Sequence, residues 1–187
     1  SEMCIRDRYY YNEISVNELH KDIEKYETLY AMELARKILC ENYDGEYIPI
    51  ALQYHGRNKE NAMLCGNYIQ LIPLSLYKNK SISVLELDEI EKNVEIYNQL
   101  SDKEKSMIEN VQQNAVYINV AKNYSIEFGN TLYDNLKAEY NRIKFKQRPL
   151  KVILRMDKNK LILIIDGCNN SQDDMEQIVM NTFKNPL

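Results

Sequence analysis

Two short β-rich runs, Lys151 to Met156 and Leu161 to Asp166, stand four polar residues apart and constrain the fold more than any other feature of the chain. Val, Ile and Leu dominate both, and Asp157-Lys158-Asn159-Lys160 between them is a turn sequence, so the pair predicts an antiparallel hairpin. Just beyond it, Ser171-Gln172-Asp173-Asp174 supplies a cap and two carboxylates. Unpaired N–H groups and the positive end of a helix dipole both favour negative oxygen there, so Asp173 and Asp174 are helix-start residues rather than a catalytic pair. Met175, Ile178, Val179 and Phe183 then share one helical face, which should pack on the sheet.

The rest of the chain supplies helices and strands in irregular order. Leu19, Ile23, Tyr26, Tyr30, Leu34 and Ile38 recur at spacings of three and four and predict one long helix. Its end is expected near Asn42-Tyr43-Asp44-Gly45, with Gly45 closing the last turn in the left-handed conformation. Tyr47 to Tyr54 predicts a strand, Pro49 being tolerable near its start or at an edge, and His55-Gly56-Arg57-Asn58 breaks it. Asn67 to Tyr77 is a second extended run, apolar on both faces, which Pro73 confines to a sheet edge or a crossing segment. Leu87, Ile90, Val94 and Tyr97 form a helical stripe, with Asp88, Glu89 and Glu91 on its solvated face. Ser101-Asp102-Lys103-Glu104 is a capping box opening another helix through Met107 and Val111, and Tyr117 to Val120 reads as a strand. Lys122 to Arg148 reads as a long connection with one short helix around Leu136. Together these predict an α+β fold, a mixed β-sheet with helices packed on one face.

Composition narrows the function classes. At 187 residues and 44% hydrophobic, the chain suffices for one compact unit or one lobe of a larger domain. Its 24 basic residues are scattered among 28 acidic ones, which argues against nucleic acid as a partner. Cys4, Cys40, Cys65 and Cys168 form no CxxC pair, and with His20 and His55 they offer no metal-ligand spacing, so no metal is expected. No apolar run approaches the roughly 18 residues of a membrane span, and a reduced, cytoplasmic setting is expected. A glycine-rich phosphate loop and a G-x-S-x-G elbow are both absent. Ser1 to Arg8 resembles a translated sequencing adapter, so residues 1–8 are expected to be a non-native leader, removable without cost, and 9–187 the native sequence.

The order of segments then becomes informative. Ile50-Ala51-Leu52-Gln53-Tyr54-His55-Gly56-Arg57 is a strand ending in a Gly-Arg turn. After a polar spacer comes Cys65-Gly66-Asn67-Tyr68-Ile69-Gln70-Leu71-Ile72-Pro73-Leu74-Ser75, and the chain closes on a hairpin and a helix. From about Ser15 to Leu187 this order resembles the C-terminal lobe of nonribosomal peptide synthetase condensation domains, of the chloramphenicol-acetyltransferase-like superfamily. The resemblance implies one lobe of a two-lobe fold, with an N-terminal lobe as its missing partner. It implies a condensation-type acyltransferase that forms amide (or ester) bonds between thioesters borne by peptidyl or acyl carrier proteins. Phosphopantetheine would then arrive on the carrier proteins, with no cofactor bound directly. Gly66, Asn67, Tyr68, Gln70 and Pro73 would belong to the substrate tunnel or latch, and Gln53, His55 and Arg57 to the turn after the strand.

The chain also departs from the family. Gln70 stands at the family's Asn and Ser75 at its terminal Arg. Gln53 and Asn58 stand where related epimerisation domains have Glu, and an amide cannot shuttle a proton as a carboxylate does, which disfavours epimerisation. The family's His-His-x-x-x-Asp-Gly motif is absent, so no catalytic residue is assigned and the chain alone is expected to be inactive. His20 reads as a solvated or boundary residue and His55 as a hydrogen-bonded group of a turn. The changes at Gln70 and Ser75 motivate a second reading, a degenerate non-catalytic module that docks carrier proteins; an unrelated α+β domain is a third. If one lobe is present, Tyr68 to Leu76 should leave apolar surface open where the other would sit.

Overall fold

The computed structural model describes residues 9–55, 69–121 and 149–187. Its strands are β1 (Tyr9–Ser15), β2 (Tyr47–His55), β3 (Ile69–Tyr77), β4 (Val116–Ala121), β5 (Lys151–Asp157) and β6 (Lys160–Asp166). Its helices are α1 (Glu27–Leu39), α2 (Glu86–Gln99), α3 (Asp102–Val111) and α4 (Gln172–Lys184). The strands form one sheet in the order β1-β6-β5-β4-β2-β3. β2, β4 and β5 run parallel, while β3, β6 and β1 pair antiparallel to their neighbours, so the sheet is mixed and the fold α+β as the sequence predicts.

Strand side chains alternate between faces, and that alternation selects the core. Ile50, Ile118, Leu154 and Leu163 fall on one face and are buried with Leu34 and Ile38 of α1, Val94 of α2, and Val179 and Phe183 of α4. Each such aliphatic side chain contributes about 1.5–3 kcal/mol relative to exposure. The hairpin forms as read, with Asp157 opposite Lys160 across a two-residue turn. Ser101 caps α3 reciprocally with Glu104, and the Ser171 hydroxyl accepts from the Asp174 N–H. α3 nonetheless buries little: Met107 and Val111 are exposed, and only Ile108 packs against the main core.

The prolines of β2 and β3, Pro49 and Pro73, sit where the ladder does not need their missing donors. The Lys78 N–H donates to Glu46 O at 2.9 Å, which makes Glu46–Lys78 a hydrogen-bonded pair of the β2–β3 ribbon. Antiparallel pairs alternate, so Pro49–Ser75 and Ala51–Pro73 are non-hydrogen-bonded pairs. Pro73 therefore turns its nitrogen to the open side of β3, an edge strand as expected. Pro49 turns its nitrogen toward β4, whose pairing begins only at Ile50.

A buried ion pair ties the β3–α2 connection to α1. Arg36 grips Glu33 with two hydrogen bonds, Nε to Oε2 at 2.8 Å and Nη2 to Oε1 at 2.7 Å. Glu33 Oε2 also accepts from the Ile82 N–H at 3.0 Å, and Arg36 Nη1 donates to Lys78 O at 3.0 Å. The hydrogen bond to Glu33 holds the Arg36 guanidinium above its ordinary pKa, against the opposing effect of burial.

Two expectations are corrected and one strand is added. The predicted long helix begins only at Glu27; Leu19 to Tyr26 form turns in which Ile23 is nevertheless buried. Gly45 does not close that helix in the left-handed region: α1 stops at Cys40, and Gly167 has the positive φ among the described residues, at 97°. Tyr9–Ser15 is a strand that the apolar pattern did not reveal, recruited by antiparallel pairing with β6. β3 is largely apolar on both faces, as expected: Ile72, Leu74 and Leu76 are buried toward the helices, and Ile69, Leu71, Pro73 and Tyr77 lie on the other face, where Ile69 and Tyr77 are exposed. The expected connection from Lys122 to Arg148 and residues 1–8 lie outside the described residues.

Candidate functional site

β2 lies between β3 and β4, so its side chains opposite the helix layer meet two neighbours at once. On that face Gln53 stands level with Leu71 of β3 and Asn119 of β4, and Ala51 level with Pro73 and Tyr117. The registers continue outward, carrying Tyr117 to Lys151 and Lys151 to Asp166. A polar row thus crosses β2, β4, β5 and β6 with Gln53, Tyr117, Asn119, Lys151 and Asp166.

The row is buried and internally bonded. Gln53, Asn119 and Lys151 are among the buried polar side chains, Asn119 being fully enclosed. The Tyr117 hydroxyl donates to Gln53 Oε1. Lys151 Nζ lies 3.6 Å from Asp166 Oδ2, which offsets part of the desolvation cost of burying an ammonium. Ile153, Ile162 and Ile164 pack beside the row with Tyr117, forming a second apolar cluster that Leu71 and Tyr11 adjoin. Amides, a phenol and an ion pair enclosed in this way lock the registers of β2, β4, β5 and β6 by hydrogen bonding. Gln53 and Asn119, as amides, cannot exchange protons near neutral pH.

The residues singled out in the sequence are divided by this geometry. Gln53 and Pro73 share the face opposite the helices and are neighbours across β2 and β3. Gln70 belongs to the other face, where its Nε2 donates to Asn98 Oδ1 of α2 at 2.9 Å, so it is not brought together with Pro73 or Gln53. The backbone of His55 pairs with Ile69 at the end of the β2–β3 ribbon. Arg57, Gly66, Asn67 and Tyr68 lie outside the described residues.

His20 is half-buried in the turns before α1, not on the helix itself. Its Nδ1 accepts from the Asp22 N–H at 3.3 Å and lies 3.2 Å from the Tyr30 hydroxyl. Its backbone N–H donates to Phe183 O at 2.7 Å, and Tyr30 donates to Asn185 O at 3.1 Å. The cluster fastens the entry of α1 to the exit of α4, a structural role consistent with the boundary position expected for His20. Burial raises the Tyr30 phenol, with the nearby Asp22 charge adding to the effect.

Tyr117, Asn119 and Lys151 were not singled out in the sequence, although a local signal existed. Val116, Ile118 and Val120 alternate with Tyr117 and Asn119, which marks a strand with one apolar and one polar face. Both faces are buried, and no alternation pattern conveys that. A further groove lies between the end of α1 and α4, bordered by Lys37, Cys40, Asp174 and Asn181, and Lys37 Nζ bridges it to Asn181 Oδ1 at 3.0 Å. Among the described residues no helix is long and apolar enough to cross a membrane.

No protein-family model and no curated protein matches the chain. Solved structures do. The first condensation domain of the CDA synthetase superposes with a TM-score of 0.60 at 11% identity, covering 94% of this chain and 44% of that one. A starter condensation domain of the rhizomide synthetase gives a TM-score of 0.56 at 9% identity, covering 97% and 47%. A condensation domain mediating chain release from the enacyloxin polyketide synthase gives 0.53 at 11%, covering 95% and 41%. The chain thus spans less than half the length of each of these three chains. Nearly all of it adopts a fold found in nonribosomal peptide synthetase condensation domains, a chloramphenicol-acetyltransferase-like fold.

Proposed function

We propose that this chain forms the C-terminal lobe of a condensation-type acyltransferase that joins a carrier-protein-bound thioester acyl group to an amine, or to a hydroxyl as an ester. The observation that carries the reading is the superposition of 94–97% of the chain on 44–47% of two condensation domains. Acyl and acceptor groups would arrive on the phosphopantetheine arms of carrier proteins, and a histidine for the attacking amine would come from an N-terminal lobe. The contribution of this lobe is positional. The enclosed row of Gln53, Tyr117 and Asn119 stiffens the sheet that would form one wall of the tunnel, and fixing geometry lowers a barrier without proton exchange at this lobe.

A second reading, a non-catalytic module that docks carrier proteins, is favoured by Gln70, whose side chain is engaged with Asn98 on the helix side and is unavailable to a tunnel on the opposite face. Product formation from acyl- and aminoacyl-loaded carrier proteins separates the two. The purified chain alone should give no product, and the chain joined to a lobe bearing His-His-x-x-x-Asp-Gly should give product. Turnover by the chain alone, lost on His55→Ala, would overturn the assignment of the catalytic histidine to the other lobe. Carrier-protein binding without turnover in the two-lobe protein would favour the docking module.

A further inference from the structure

The sheet face opposite α1, α2 and α4 changes character across its width. On β1, β5 and β6 it bears Glu13, Lys151, Arg155 and Asp166. On β2 and β3 the eight positions from Tyr47 to Gln53 and Leu71 to Tyr77 that alternate onto it hold no Asp, Glu, Lys or Arg, in a chain of which 28% is charged. Yet much of this strip is open. Tyr47 is 58% and Tyr77 39% exposed, their rings 5.5 Å apart, and Pro49 and Ser75 are exposed while Leu71 and Pro73 are half-buried. An apolar, tyrosine-rich strip bordered across the same face by the charged positions of β5, β6 and β1 has the composition of a protein interface rather than of a solvated strand face.

The size of the strip selects its occupant. Seven residues of strand by two strands give roughly 25 Å by 10 Å, about 250 Å². A stable complex buries about 800 Å² on each partner, so the strip alone cannot hold a second copy of the chain. It suffices for a partner already held close by the same polypeptide, where effective concentration replaces contact area. Pro73 interrupts the donors along the open edge of β3, so the partner rests on the face and does not add a strand.

We infer that the uncharged strip of Tyr47, Pro49, Pro73 and Tyr77 seats the other lobe of the same two-lobe domain; this rests on the reading proposed above. The test uses the full chain alone and joined in one polypeptide to an N-terminal lobe that bears His-His-x-x-x-Asp-Gly. Alone, it should bind the hydrophobic dye anilinonaphthalene sulfonate, and the double variant Tyr47→Lys/Tyr77→Glu should lower that fluorescence by about half or more with Tm unchanged. In the joined protein amide exchange should slow about tenfold or more at 47–50 and 74–77, and the double variant should abolish that protection. Protection and product formation indifferent to the double variant, or protection confined to α2 and α3, would overturn the strip and leave the two-lobe reading intact. A joined protein that shows no protection anywhere on this chain and forms no product would overturn the two-lobe reading itself.

Discussion

Tyr117 of β4 donates its phenolic hydrogen to Gln53 of β2, and this bond lies at the boundary between the exposed strip of β2–β3 and the buried polar row running toward β6. A buried acceptor that loses its donor keeps its desolvation cost, so Tyr117→Phe should destabilise the chain by about 1–3 kcal/mol. Gln53→Leu removes the acceptor itself, and the double variant should be less unstable than the sum of the two. Urea unfolding of the four proteins gives the coupling directly; strict additivity would show that the bond contributes nothing.

Breaking the buried Glu33–Arg36 pair should cost much more. Glu33→Ala leaves a guanidinium without its bidentate partner and frees the Ile82 N–H, an expected loss of about 3–5 kcal/mol. Replacing both residues, Glu33→Leu with Arg36→Met, should recover much of that, since no unpaired charge remains buried. A Glu33→Ala variant within 1 kcal/mol of the parent, by denaturant midpoint, would show that the pair does not anchor the β3–α2 connection.

What the sequence disclosed and concealed divides along the range of the interactions. The β5–β6 hairpin and the Ser101 and Ser171 caps depend on residues within a few positions of one another, and they were legible. The run from Leu19 to Tyr26 carried a helical spacing because Ile23 is buried and Leu19 and Tyr26 pack on the core, but turns satisfy that spacing as well as a helix does. β1 is held by β6, which follows it by some 145 residues, and Tyr9–Ser15 has no local pattern that announces the pairing. Gln53 was legible as a candidate through the order of motifs. Its donor was not, because Tyr117 meets Gln53 only through the register of two strands far apart in the chain.

Two helix-start carboxylates should make stability fall in acid. The Ser101 hydroxyl and N–H hold Glu104 below its ordinary value of 4.5. For Glu86 burial acts upward, but hydrogen bonds from the Ser83 hydroxyl and N–H outweigh it, and its pKa is also lowered. A folded pKa below the unfolded one gives stability that is fully present above the unfolded value and lost as pH falls through the folded one. Glu86→Gln/Glu104→Gln should therefore lower Tm at pH 7, and the gap from the parent should close below about pH 4. A gap that widens toward acid would reverse the assignment.

Glycine is required at one position and merely convenient at another, and substitution should separate them. Gly167 joins β6 to the approach of α4 with φ at 97°, and a Cβ there would stand 2.5 Å from Pro149 O, a backbone atom at the entry of β5. Gly167→Ala meets both an unfavourable conformation and a clash that no side-chain rotation relieves, so a loss of about 2 kcal/mol or more is expected. At Gly45 the φ is not left-handed, and the atom nearest an added Cβ is Cε1 of Tyr43, at 2.7 Å on a ring that can move. Gly45→Ala should cost less than half as much, or stabilise slightly by restricting the unfolded chain. Thermal unfolding of the two variants decides the matter. Equal losses would mean that the contact with Pro149 is relieved by a shift of the β5 entry, and such a shift should disturb the Lys151–Asp166 pair two residues downstream of Pro149.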